Sequence, residues 1–186
     1  CALPICAIQD SSRLLNRMDR ALLTLNDLAA VRVDARILPG DKPNEVIVRL
    51  RVSDKPRVSG KLETDNYGER STGSARILST VNVNGALGYG EHLQLTGEKT
   101  DGTTFGRVAI IAPVGVEGLH LGINAAALST KTTQPRFTDL AEKGNANSYG
   151  AVAIYPLIRA HSGNLQAIGQ YNYNYFFSSK VDRSEE

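Results

Sequence analysis

The chain has 186 residues, enough for one domain with a real core or for two small ones, and a formal net charge of +2. That balance argues against nucleic-acid binding, which usually shows a strong basic excess on one element. No apolar run approaches the roughly 18–20 residues of a membrane-spanning helix. The longest, VAIIAPVGV at 108–116, contains Pro113. A β-barrel leaves no such run, so only helical membrane proteins are excluded. Cys1 to Asp10 lacks the basic start and apolar core of a signal peptide. Either the protein is cytosolic or the sequence begins downstream of its natural start. Cys1 and Cys6 are the only cysteines, either partners in an oxidising compartment or incidental thiols. Without a CxxC, and with scattered histidines, neither a metal nor a cofactor is expected.

In SSRLLNRMDRALLTLNDLAAV (11–31), Leu14, Leu15, Met18, Leu22, Leu25 and Leu28 recur at three- and four-residue steps. Arg13, Arg17, Asp19 and Arg20 take much of the other side, which predicts an amphipathic helix capped by Ser11 or Ser12. A strand at 31–38, the turn PGDKPN (39–44) and a strand at 44–52 follow. In the second strand Val46, Val48, Leu50 and Val52 share one face. A helix and two strands make a small layered α+β unit.

From Pro56 onward no helical period recurs. Alternating stretches predict strands at 57–67, 74–84, 91–98, 104–113, 119–129, 148–158 and 165–177, in up-and-down order. Soluble strands are mostly about five or six residues long, whereas crossing a hydrocarbon layer takes about 9–11 tilted residues, as several of these stretches have. Tight turns fall near 85–90, 113–118 and 159–164, and the longest loop (130–147) falls at the opposite end, as in outer-membrane barrels. In 165–177 one face carries Leu165, Ala167, Gly169, Tyr171, Tyr173, Tyr175 and Phe177, and the other Gln166, Ile168, Gln170, Asn172, Asn174 and Phe176. A polar face suits a wet lumen, and an apolar face ending in rings suits lipid with an interfacial aromatic girdle. The alternative is a soluble β-rich module whose sheet packs on itself.

TDNYGERSTGSAR (64–76) and VNVNGALGYGEHLQL (81–95) resemble the start of the barrel in two-partner-secretion transporters, the haemolysin secretion/activation family of Gram-negative outer membranes. Asp65, Asn66, Gly68, Thr72, Gly73, Asn84, Gly88 and Gly90 match its pattern. MDRALLTLNDLAAVRVDARILPG (18–40) is similar to the last helix and next strand of the family's second POTRA (polypeptide-transport-associated) domain, with Ala29-Ala30 where members commonly have proline-glycine. YPLIRAHSGNL (155–165) is similar to a strand-turn-strand around Pro-Leu-Ile-Arg. The resemblance implies an internal fragment: a partial POTRA domain at 1–54, and the N-terminal part of an antiparallel up-and-down transmembrane β-barrel at 55–186. Seven strands are too few to close a barrel, the smallest usual number being about eight.

The same resemblance implies an outer-membrane pore with its N-terminal part in the periplasm. Its partners would be lipid and one large unfolded exoprotein, captured by the POTRA part and conducted by the barrel without nucleotide. An exposed strand edge binds an extended peptide through its backbone. The candidate edge is 31–38, with Leu22, Leu25, Val31, Arg32 and Val33 as contacts; the apolar four serve equally as the small unit's core. Asn82, Asn124, Gln166, Gln170, Asn172 and Asn174 either line a conduit or fill the barrel. Asp65, Asn66, Gly68, Thr72 and Gly73 read as turn chemistry, with a positive φ at the Asn-Tyr-Gly tip. No enzyme is expected. GALGYG (85–90) lies between two strands and not at the strand-to-helix turn a dinucleotide needs. No G-x-S-x-G occurs, His161-Ser162 has no third partner, and His92 and His120 sit among polar neighbours.

Overall fold

A computed structural model describes residues 18–39, 46–133, 142–160 and 163–180. Ser11, Ser12, Cys1, Cys6, the turn after Pro39 and His161-Ser162 lie outside the described residues. Helix α1 covers residues 18–26 of them. It is followed by β1 (Val31–Pro39) and β2 (Val46–Asp54), an antiparallel ribbon.

The expected helix to residue 31 stops at Asn26, and residues 27–30 form a turn. Asparagine is a poor interior residue of a helix because its amide competes for backbone groups. Here the Asn26 side chain leaves the helix and grips Val33 on both sides. Its Nδ2 donates to the Val33 carbonyl at 2.7 Å, and its Oδ1 accepts the Val33 N–H at 2.8 Å. Val33 is buried, at 6% exposure. The Asn26 side chain thus ties β1 to the helix at Val33, while Ile37, Leu50 and Val52 on the same face stay exposed.

β3 (Val58–Asp65), β4 (Arg76–Asn84), β5 (His92–Lys99), β6 (Thr103–Val114), β7 (Leu119–Lys131), β8 (Glu142–Ala160) and β9 (Gly163–Lys180) form one antiparallel sheet in sequence order. The sheet is open, with β3 and β9 at its edges. The seven strands fall where the alternation predicts them, except that β8 starts at Glu142, six residues before its expected start, and shortens the polar loop.

Register fixes the faces, because directly opposed residues of antiparallel strands project to the same side. One row runs Ser59, Asn82, Gln94, Ala109, Asn124, Gly150, Asn172. Its neighbour two residues along runs Lys61, Thr80, Thr96, Arg107, Ala126, Ser148, Asn174. On the opposite face the rows are Val58, Val83, Leu93, Ile110, Ile123, Ala151, Tyr171 and Gly60, Val81, Leu95, Val108, Ala125, Tyr149, Tyr173. Along these central rows one face is mostly polar and the other mostly apolar.

Exposure says which way the sheet curls. In β7 the side chains of His120, Asn124, Ala126 and Leu128 are half-buried, and those of Leu121 and Ile123 are 45% and 64% exposed. The polar face is concave and the apolar face convex, the reverse of a soluble sheet packed on a core.

Asn26→Ala removes both side-chain bonds to Val33 and orphans two backbone groups, costing about 1–3 kcal/mol. Hydrogen–deuterium exchange of the β1 amides around Val33 is expected to rise in this variant, with the β4–β8 amides unchanged.

Candidate functional site

Three regions carry the side chains that sequence singles out. On the concave face, register brings Asn82, Asn124, Gln166, Gln170, Asn172 and Asn174 to one side of the sheet. Gln94 Nε2 donates to Asn82 Oδ1 at 3.2 Å. Asn124 and Asn172 converge over Gly150, where an added Cβ would lie 2.6 Å from Asn124 Nδ2. His92 Nδ1 lies 2.7 Å from Asn84 Oδ1, which can only accept, so the imidazole donates. These groups form a polar, hydrogen-bonding surface.

The second region lies where the turns 85–91 and 115–118 meet residues 20–30. Ala29 N–H donates to the Gly90 carbonyl at 3.4 Å, and Lys55 Nζ donates to the Leu28 carbonyl at 2.9 Å. A Cβ on Gly85 would meet Ala30, on Gly90 Leu28, and on Gly118 Thr24 and Pro156. All three glycines also sit at positive φ, so both backbone shape and close approach require them. Arg159 forms a bidentate ion pair with Asp27, its Nε 3.0 Å from Oδ2. A register shift between Pro156 and Ile158 makes that reach possible. The extra residue moves Arg159 opposite Asn164, on the concave side where the helix end lies; bulges re-aim side chains in this way.

Glu91, which sequence reasoning passed over, organises the turn. It is only 2% exposed, and its carboxylate accepts N–H groups from Leu87 and from Tyr89, the latter at 3.1 Å. The Leu87 bond, more than its other backbone bonds, holds its pKa below the ordinary carboxylate value against the opposing effect of burial. A buried charge at this position has no signal in the sequence, where Glu91 reads as a polar residue after a glycine cluster.

The third region, at the opposite end of the sheet, is the Asp65–Gly73 motif. Arg76 donates to Asp65 through Nε and Nη2 at 3.0 and 2.9 Å, and Asp65 Oδ1 also accepts the Tyr67 N–H. The Thr72 carbonyl accepts Gly102 N–H and the buried Thr100 hydroxyl, and the Ser71 carbonyl accepts Thr133 N–H. Three loops are knitted here. The expected positive φ at the Asn-Tyr-Gly tip is corrected: it occurs at Gly73, not Gly68. Gly68 is needed for a different reason, since a Cβ there would collide with the carbonyls of Gly73 and Ser74. Asn66 makes no side-chain hydrogen bond to another described residue and is exposed.

The candidate contacts on the small unit divide. Val33 is buried under Asn26; Leu22 and Val31 are half-buried; Leu25 and Arg32 are exposed.

No family model matches the chain. In sequence it is similar to the heme/hemopexin transporter protein HuxB of Haemophilus influenzae, 25% identical over 162 residues in strain 86-028NP and 24% in strain KW20 / Rd. The match covers 86% of this chain but only 28% of HuxB, so the chain spans under a third of those relatives. In fold it is similar to CdiB from Escherichia coli, with a TM-score of 0.70 at 17% identity over 86% of this chain and 31% of that one. The fold is shared with part of CdiB, a two-partner-secretion transporter. BamA from Haemophilus ducreyi lacking POTRA domains 1–3 is also similar, with a TM-score of 0.57 at 17% identity over 94% of this chain and 31% of that one. The likeness to the two solved structures is one of fold, and the relative in sequence, HuxB, is a transporter protein.

Because the folded pKa of Glu91 is depressed, its contribution is complete above the unfolded carboxylate value of about 4.3 and is lost as pH falls through the folded value. Exchange of segment 85–91, corrected for intrinsic rate, is therefore expected to stay protected at neutral pH and rise in strong acid. In Glu91→Ala it should be raised already at pH about 7, where a Glu91 carboxylate is fully ionised.

Proposed function

We propose that this chain is part of an outer-membrane pore that passes a secreted partner protein from the periplasm to the cell surface. Residues 55–186 belong to the barrel, and 1–54 belong to a POTRA domain on the periplasmic side. One observation carries the reading: across seven strands the apolar rows share one face and the amide-rich rows the other, and in β4–β8 the apolar face is the more exposed, convex one. Lipid is the solvent that favours such an arrangement. A soluble β-rich module would need the opposite curl, or a second layer over Leu121, Ile123 and Tyr149.

In this reading Asn82, Asn124, Gln166, Gln170, Asn172 and Asn174 line the conduit. Neutral amides offer donors and acceptors to a passing backbone without a fixed charge to hold it. The unfolded partner first meets the β1 edge, with Leu22, Leu25, Val31 and Arg32 around it. Val33 supports that edge from beneath and does not contact the partner. The short turns 85–91 and 115–118 face the periplasm, and the knitted loops around Asp65–Gly73 face outward.

The test compares neighbouring positions on opposite faces. Ile123→Arg near the middle of the apolar band is expected to cost about 2–4 kcal/mol of barrel stability, as charges at the bilayer midplane do. Asn124→Arg, one residue on, should leave the heat-modifiable gel shift of the assembled protein intact while reducing export of the partner. Equal assembly defects from both substitutions would sink the reading.

A further inference from the structure

The β1–β2 ribbon carries a charge pattern that the pore reading does not use. Its opposed pairs Arg32–Ser53, Asp34–Arg51, Arg36–Arg49 and Leu38–Ile47 stand on one face, and Val33–Val52, Ala35–Leu50 and Ile37–Val48 on the other. Four guanidinium groups against one carboxylate therefore share an exposed face. None of the four is ion-paired with another described residue. Arg36 and Arg49 are direct cross-strand partners, and like charges so placed repel. A trough of about 740 Å³ lies along this face, lined by Asp34, Arg36, Leu38, Arg49 and Arg51 among others. An anion seated there relieves the repulsion.

The backbone alongside defines the shape of the guest. Val33 turns its N–H and C=O away from β2, toward Asn26. Antiparallel pairing alternates, so Ala35 and Ile37 turn theirs outward on the same edge. No described strand pairs with that edge. A strand added there would meet two environments in alternation. Residues opposite Ala35 and Ile37 would lie over the apolar face, and the residue between them, opposite Arg36, would enter the trough.

We propose that the ribbon recognises an extended segment in which acidic and apolar side chains alternate. The acidic group sits beside Arg36 on the side away from β2, where it offsets the repulsion between Arg36 and Arg49, and its apolar neighbours pack beside Ala35 and Ile37. Beside Asp34 the guest carries a neutral residue. This rests on the reading above of the chain as a transporter, whose exported partner supplies the segment. A lipid phosphate would fill the trough equally well by charge, but it has no use for an open strand edge flanked by an apolar face.

The experiment uses the purified protein in detergent micelles and three short fluorescent peptides. One alternates Glu with Val, one alternates Lys with Val, and one holds the same Glu and Val in two blocks. By anisotropy, the alternating acidic peptide is expected to bind at least about tenfold more tightly than either control, because the charge pair is fixed by register. The double substitution Arg36→Glu, Arg49→Glu should transfer the preference to the Lys peptide; both sites are exposed, and an unchanged heat-modifiable gel shift confirms that the variant is folded. Equal binding of the alternating and blocked acidic peptides, no binding of any peptide, or an unchanged preference in the variant would overturn the proposal. So would displacement of the bound peptide by phosphatidylglycerol vesicles together with loss of the pattern preference, which would make the trough a lipid site. The Ile123→Arg comparison reads the membrane assignment separately, so failure of one is distinguishable from failure of the other.

Discussion

A backbone that crosses hydrocarbon must satisfy every N–H and C=O from within the protein, because lipid offers no partner. In the proposed barrel, the antiparallel ladder from β3 to β9, unbroken in strand order, meets that constraint for the inner strands β4–β8 and leaves the outer edges of β3 and β9 for further strands to pair. Once the ladder is fixed, the alternation of side chains has only two destinations. Val83, Leu95, Val108, Ile123 and Tyr149 go outward to the convex face, and Asn82, Gln94, Asn124 and Asn172 go inward. A slip of one residue in any pair would exchange the two sets and expose amides to lipid. Register specifies this sheet more than a packed core does, since large apolar side chains such as Leu121 and Ile123 stay exposed.

The ends of the sheet follow a different logic, since they meet water and the rest of the chain. At the short-turn end, Gly85, Gly90 and Gly118 give up side chains so that residues 24–30 can approach the turn backbones. Glu91 then stiffens the turn from beneath, and the Arg159–Asp27 pair closes the junction from the β8 side. That pair is about a quarter to a third exposed, so its worth lies in fixing an angle between the small unit and the sheet more than in stability. At the other end, carbonyls of Ser71 and Thr72 gather donors from two further loops, which holds the long connection 66–75 down over the strand ends.

Much of this was legible because period-two alternation survives wherever one face meets lipid and the other water. The stretches around Val81, Leu121 and Tyr171 announce themselves in that way. The start of β8 did not: Glu142 to Asn147 carries polar or small residues on both faces, so alternation has no contrast there. The helix end was misplaced because Leu25 and Leu28 continue the helical spacing, while the tertiary bond from Asn26 to Val33 decides where the helix stops. Gly68 illustrates the limit of local turn reasoning, since its requirement comes from carbonyls five and six residues on. Glu91 and the Asp27–Arg159 pair join segments far apart in sequence or conceal a charge, and neither leaves a periodic trace.

The most direct measurement is single-cysteine labelling along β7 in intact outer membranes, in a background with Cys1 and Cys6 replaced by serine. A water-soluble maleimide should modify cysteines at Asn124 and Ala126 and spare those at Leu121, Ile123 and Ala125. That two-residue period would show the amide face wet and the apolar face in lipid. Uniform labelling along the strand, or protection of Asn124 with modification of Ile123, would contradict the account.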